Sequence, residues 1–293
     1  MSDEYHTHSH QSLKLTIVLN VIITGAQFAG GLISGSLALI SDAIHNLSDS
    51  VAVFLAYLAS VIGRREKTAQ STFGYKRAEI LAAFLNALVL AGISLFLLFE
   101  AVERFFNPKE IDFRWMLGLG LVGLVANSLS VLILHKDKKE NMNIRAAYLH
   151  LLGDALTSLA VIVGAFFIWM WNWHWIDPLV TVLISVYLLF HTYSLLKEST
   201  AILMQFAPAS VPLQELEGSL STIGGIKRVY HIHIWQLTDQ TIHFEAHVEL
   251  SADLRLSETR QINERVNTML HDQYGISHVT LQFEFNCDSP QGC

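Results

Sequence analysis

Apolar residues fill the first two hundred positions in long stretches, and polar residues gather in the gaps between them. Six stretches, at about 13–34, 38–62, 78–105, 114–135, 144–171 and 178–200, can each cross roughly 30 Å of hydrocarbon as a helix. After Pro208 the pattern changes. Residues 211–223 suit a short helix, and 226–236 and 241–250 alternate as strands. Residues 257–273 return to helical spacing through Ile262, Val266, Met269 and Leu270, and 278–285 alternates again. The pattern predicts an α-helical membrane protein with six transmembrane helices within 13–204. A polar tail (1–12) precedes them, and a small cytoplasmic α+β domain of order αββαβ, its helices on one sheet face, occupies 205–293.

Composition agrees with this reading: 52% of residues are hydrophobic and only 15% charged, as in polytopic membrane proteins. The first twelve residues lack the basic region, short apolar core and small-residue site of a cleaved leader, so the first span is expected to be retained. Basic residues set the orientation. Arg64, Arg65, Lys67, Lys76 and Arg77 follow span two, and Lys136, Lys138, Lys139 and Arg145 follow span four. The links after spans one and five have none, although Arg104, Lys109 and Arg114 flank the link after span three. Both termini are therefore expected in the cytoplasm, with the protein multi-pass in the inner or plasma membrane. Trp169, Trp171, Trp173 and Trp175 mark the opposite interface.

The net charge of −7 lies mostly in the last domain, where eleven Asp/Glu face five Lys/Arg from Gln205 onward. Such a surface favours solubility or cations and excludes nucleic acid as a partner. Cys287 and Cys293 supply no disulfide framework and suit a reducing cytosol. Their spacing is wider than the usual zinc-ligand pair.

Inside the spans, His45 and Asp49 lie four residues apart, and His150 and Asp154 repeat that spacing. Residues i and i+4 differ by only about 40° around a helix, so each pair projects to one point. A bilayer disfavours ionisable side chains unless they are paired and functional. If spans two and five run antiparallel, each histidine stands level with the other span's carboxylate. Two imidazoles and two carboxylates are a donor set that a tetrahedral Zn²⁺ accepts. The plainer alternative is two polar pairs that join helices by hydrogen bonds. Asp42 lies one turn from His45 and can line an exit path. Asn20, Gln27, Asn86 and Asn127 read first as helix-joining amides.

These His-x-x-x-Asp pairs, Phe-Gly-Tyr-Lys-Arg-Ala-Glu at 73–79, Trp-Ile-Asp-Pro at 175–178 and His-Ile-His-Ile-Trp at 231–235 resemble the cation diffusion facilitators over residues 12–285. The resemblance implies a homodimeric metal²⁺/H⁺ antiporter exporting zinc or a related ion (Cd²⁺, Co²⁺, Fe²⁺) from the cytosol, with a metallochaperone-like cytoplasmic domain. It implies that His45, Asp49, His150 and Asp154 bind the transported ion. Two His and two Asp imply zinc, where all-carboxylate sites imply manganese, in keeping with ligand softness. Metal and protons compete for the same four groups, which supplies a route to antiport with H⁺ as counter-ion.

In the cytoplasmic domain, His231, His233 and Trp235 share one predicted strand face, and His243, Glu245, His247 and Glu249 share the next. Glu284 and His278 can complete a regulatory metal site there, and an ordinary solvated face is the alternative. The resemblance favours His247 and Glu284. Tyr230 stands where several relatives carry a ligand histidine, which argues against a full two-metal site. His6, His8 and His10 can collect metal in the tail. Lys76, Arg77 and Glu79 read as a surface charge cluster and, by resemblance, as a gating or dimer ion pair. A membrane metalloenzyme would need His-Glu-x-x-His or intramembrane His-x-x-x-His boxes, and neither occurs. A membrane-anchored metal sensor would not need six spans around a four-ligand site.

Overall fold

The computed structural model describes residues 21–134 and 142–286. Within these, the side chains of 130, 133–134, 142–147 and 149–150 are left out of the description. The helices are α1 (Val21–Ser34), α2 (Leu37–Gly63), α3 (Ala78–Phe106), α4 (Phe113–Leu134), α5 (Met142–Trp171) and α6 (Ile176–Leu203). Then come α7 (Leu213–Ser221), β1 (Ile226–Gln236), β2 (Ile242–Leu250), α8 (Leu256–Tyr274) and β3 (His278–Phe285). Among the described residues, four helices are long and apolar enough to cross a membrane, and two shorter apolar helices, Val21–Ser34 and Phe113–Leu129, accompany them. The chain forms two compact units: residues up to Ala56 with Leu85–Leu195, and Tyr57–Phe84 with Leu196–Cys293.

The first unit exposes large apolar side chains and buries polar ones beside its apolar core. Phe96, Phe99 and Phe190 are more than 60% exposed, while Gln27, Ser41, Asp42, Ser94, Asp177 and Ser185 are completely buried. Water would reject that arrangement, and hydrocarbon favours it, because lipid solvates phenyl rings and leaves polar groups to find each other. Trp169, Trp171, Trp173 and Trp175 cluster on and after the end of α5, with Trp171 and Trp173 stacked at 5.6 Å.

The start of α2 is fixed by a cap from α6. Gly35 takes φ +74°, which only glycine adopts readily, and turns the chain out of α1. Ser36 Oγ then accepts the Leu39 amide at 3.1 Å and donates to Asp177 Oδ1 at 2.5 Å. Asp177 also accepts the amides of Leu37 (2.9 Å) and Ala38 (3.2 Å). Of the amides that a helix start leaves unpaired, two are satisfied by a carboxylate placed where the helix dipole favours negative charge, and a third by the Ser36 hydroxyl. The side chain of Arg104, from α3, donates to the carbonyl of Gly35 at the same turn.

In the second unit, β1 and β2 pair antiparallel and β2 and β3 pair parallel, in the order β1-β2-β3. The parallel pair requires a crossover, and α8 supplies it. Phe244, Ala246, Val248 and Leu250 of β2 pack with Ile262, Val266 and Leu270 of α8 and Leu216 and Leu220 of α7. Both helices cover one face. α8 ends at Gly275, φ +67°, whose amide reaches His271 O at 3.0 Å. The other face carries the histidines.

Candidate metal centre

α2 and α5 bring three donors together. His45 Nε2 lies 2.9 Å from Asp154 Oδ1, and His45 Nδ1 lies 3.6 Å from Asp49 Oδ2. Among the described residues, these are the three His, Cys, Asp or Glu side chains whose ligand atoms all lie within 4.8 Å of one another. His45 and Asp154 are buried, whereas the Asp49 side chain is 32% exposed. The His45–Asp154 contact is the cross-level pairing expected for antiparallel spans. The side chain of His150 lies outside the described residues. Its backbone is helical, one turn before Asp154 in α5.

A contact of 2.9 Å between a ring nitrogen and a carboxylate oxygen is a hydrogen bond when the ring carries its proton on Nε2. A cation taking both atoms as ligands must displace that proton. Tyr187 of α6 turns its ring edge-on to His45, with centroids 6.5 Å apart. No motif pointed to Tyr187, and an aromatic in an apolar span carries no signal of its own.

The intramembrane polar residues have separate fates. Asp42 is fully buried and accepts hydrogen bonds from Gln27, Thr157 and Ser158, so in this conformation it lies in an enclosed network. Asn86 Nδ2 donates to Ser48 Oγ at 3.4 Å, joining α3 to α2. Asn127 is buried on α4. Asn20, the histidines at 6, 8 and 10, and Cys287 and Cys293 fall outside the described residues.

On the sheet's open face the histidines form two groups. His247 Nδ1 lies 2.8 Å from Glu284 Oε1, Gln282 Nε2 donates to that oxygen at 2.6 Å, and Tyr230 donates to the other carboxylate oxygen. That bond pushes the Tyr230 phenol up to about 12, so it stays protonated and offers no phenolate ligand. β1 bulges between Tyr230 and His233, and His231 takes φ +52° there. Its ring packs 4.6 Å from that of His233 and 4.9 Å from that of His247. His233 pairs with Glu245 across the strands.

His278 stands elsewhere, level with His243 and 4.8 Å from it ring to ring, so it does not join Glu284. Trp235 stacks on His243 at 5.3 Å, and Phe73 meets it edge-on at 5.6 Å. Burial, then the neighbouring His278, Lys76 and Arg77, hold the His243 imidazole below its ordinary range. Arg77 Nη2, from the expected charge cluster, donates to Gln236 O at 3.4 Å. Glu249, flanked by Lys227 Nζ at 2.7 Å and by Arg228, is held below the usual carboxylate range, first by the Lys227 bond.

Comparison with known proteins bears on both parts of the chain. Residues 13–204 match the cation efflux transmembrane domain, and residues 208–285 match the cytoplasmic domain of cation efflux proteins. The zinc transporter ZitB of Yersinia pestis is 38% identical over 95% of this chain and 89% of its own length. The metal cation efflux system protein CzcD of Cupriavidus metallidurans is 37% identical over the same shares. The cadmium, cobalt and zinc/H⁺-K⁺ antiporter of Bacillus subtilis is 35% identical over 95% of this chain and 91% of its own. A helical membrane domain that gathers metal donors, followed by a small α+β domain, matches this kinship along nearly the whole chain: the chain is a multi-pass membrane protein of the cation efflux family.

Proposed function

We propose that the protein is a secondary transporter that exports Zn²⁺ from the cytosol in exchange for protons. The observation that carries this reading is the convergence of His45, Asp49 and Asp154 within 4.8 Å inside apolar helices. The names of the relatives support the ion class: one is a zinc transporter, another a cadmium, cobalt and zinc antiporter. In this reading His150 is the fourth ligand, and the spans number six with both termini cytoplasmic. The protein works as a homodimer in the plasma membrane and is not an enzyme.

The exchange follows from the ligands' own protons. Zinc entering from the cytosol takes His45 Nε2 and Asp154 Oδ1 and displaces the proton they share. Protons arriving from the other side return to these groups and release the metal. Imidazole favours zinc over manganese or magnesium, which prefer an all-oxygen site. The pair His247 and Glu284, with His231 beside it, is the reading for a regulatory metal on the cytoplasmic domain; His233 and His278 serve neighbouring pairs.

Zinc uptake into proteoliposomes tests the core of the proposal. The intact protein is expected to move zinc with opposite proton movement, and His45→Ala and Asp154→Ala each to lose about 100-fold or more in rate. Full transport in both variants, or transport indifferent to and silent on pH, overturns it.

A further inference from the structure

Asp42 is a carboxylate at 0% exposure among apolar helices, yet it stands outside the ligand cluster. Its Oδ1 accepts Thr157 Oγ1 at 2.8 Å, and its Oδ2 accepts Ser158 Oγ at 3.1 Å and Gln27 Nε2 at 3.2 Å. The donors come from α1 and α5. On α4, Gly123 leaves room for the glutamine: a Cβ there would lie 2.4 Å from Gln27 Nε2 and 3.3 Å from Ser158 Oγ. Four helices thus meet around one anion.

Its level in the bundle gives it a task. Along α2, exposure rises from Asp42 (0%) through His45 (2%) to the Asp49 side chain (32%). On the opposite side of Asp42, toward Ser36, a closed core of Ala38, Leu39, Met116, Val161 and Ala165 fills the space between α2, α4 and α5. Among the described residues, the donor cluster is closed on the Ser36 side by this core, and Asp49, farthest from it along α2, is its most exposed member. The Asp42 network is the first layer of that seal. A cation leaving toward Ser36 must pass it.

We propose that Asp42, held by Gln27, Thr157 and Ser158, is the latch of the gate on the Ser36 side. It positions α1 and α5 against α2, with α4 close beside them, while the cluster is open to the other side, and it parts during turnover. The proposal rests on the transport reading above. Interhelical hydrogen bonds in a bilayer are individually weak, so the latch can open in each cycle. Several on one carboxylate still bias the equilibrium toward the closed form.

Thiol labelling of the full-length protein in liposomes tests this without zinc. With Cys287 and Cys293 replaced by serine, Val161→Cys supplies a reporter that is fully buried and one turn beyond Thr157. A membrane-impermeant maleimide is offered from each side in turn. Thr157→Val and Gln27→Leu, each removing one donor at nearly constant volume, are expected to speed labelling from the Ser36 side about three- to tenfold. Thr157→Ser, which keeps its hydroxyl, is expected to label at the parental rate. Parental helix content by circular dichroism in all three variants certifies the fold. Parental labelling rates in both Thr157→Val and Gln27→Leu overturn the latch, as does equal acceleration by Thr157→Ser. A parent protein that does not transport zinc sinks the transport reading and leaves the labelling result standing.

Discussion

The membrane bundle and the cytoplasmic sheet use the same residue types and arrive at different arrangements. The sheet carries His231, His233, His243, His247 and His278 with Glu245, Glu249 and Glu284 on one face, yet no three of their donor atoms converge among the described residues. The bundle reaches three with fewer candidates. The difference is solvent. In hydrocarbon a lone charged group is so costly that each donor must find another. At a sheet surface water satisfies whatever the strands leave over, so each histidine settles with its own neighbour: His247 with Glu284, His243 with Trp235. Abundance of ligand-type residues does not make a site; enforced convergence does.

Substitutions sharpen that contrast. Asp49→Ala is expected to cut zinc transport about 100-fold or more, because it opens the ligand set. His247→Ala should stay within about threefold, since it removes none of that set. Initial rates in proteoliposomes decide, and equal losses in the two variants would erase the distinction.

A smaller effect comes from forcing the sheet to converge. Tyr230 already bonds Glu284 and packs 5.5 Å from the His247 ring. Tyr230→His puts a third metal donor there. In a His45→Ala background, competition titration with a zinc dye is expected to register about tenfold tighter binding to the cytoplasmic domain. No gain would mean that the sheet's geometry, rather than its missing donor, prevents a site.

The smallest effect is on stability. The folded His243 imidazole is held below its ordinary value, so its contribution is complete above the unfolded value near about 6.5 and is lost as pH falls through the folded one. Glu249, also held low, follows in the same direction at more acid pH. Hydrogen-exchange protection of β2 amides should therefore decline on acidification. His243→Leu should remove the earlier part of the decline, and an unchanged profile in that variant would deny His243 the role.

Much of this was legible in the chain. The strand predicted over 226–236 and that over 278–285 match β1 and β3 residue for residue, and the helix predicted over 38–62 is α2 with one residue more at each end. Long apolar runs and strict alternation are strong signals because each follows one solvent boundary. The His45–Asp154 contact was foreseeable too, since helical spacing and antiparallel spans leave few other arrangements. The roles of Thr157, Ser158 and Gln27 were not, because a hydroxyl or amide in a span looks alike whether it joins helices or holds a carboxylate. Asp177 stood out only within a motif, and its work as the cap of α2 depends on a turn far away in sequence. The bulge at His231 was hidden for another reason: period-two alternation does not announce an extra residue, so Tyr230 joined a face expected to hold only His231, His233 and Trp235.

The hollow beside Gln27 constrains how this sequence can drift. A side chain at position 123 would crowd the glutamine amide, so a change at Gly123 forces the end of Gln27 to move away from Asp42. Shortening residue 27 likewise takes a donor from Asp42. Two positions far apart in the chain are thereby coupled, and a change at either loosens the hold on one buried carboxylate.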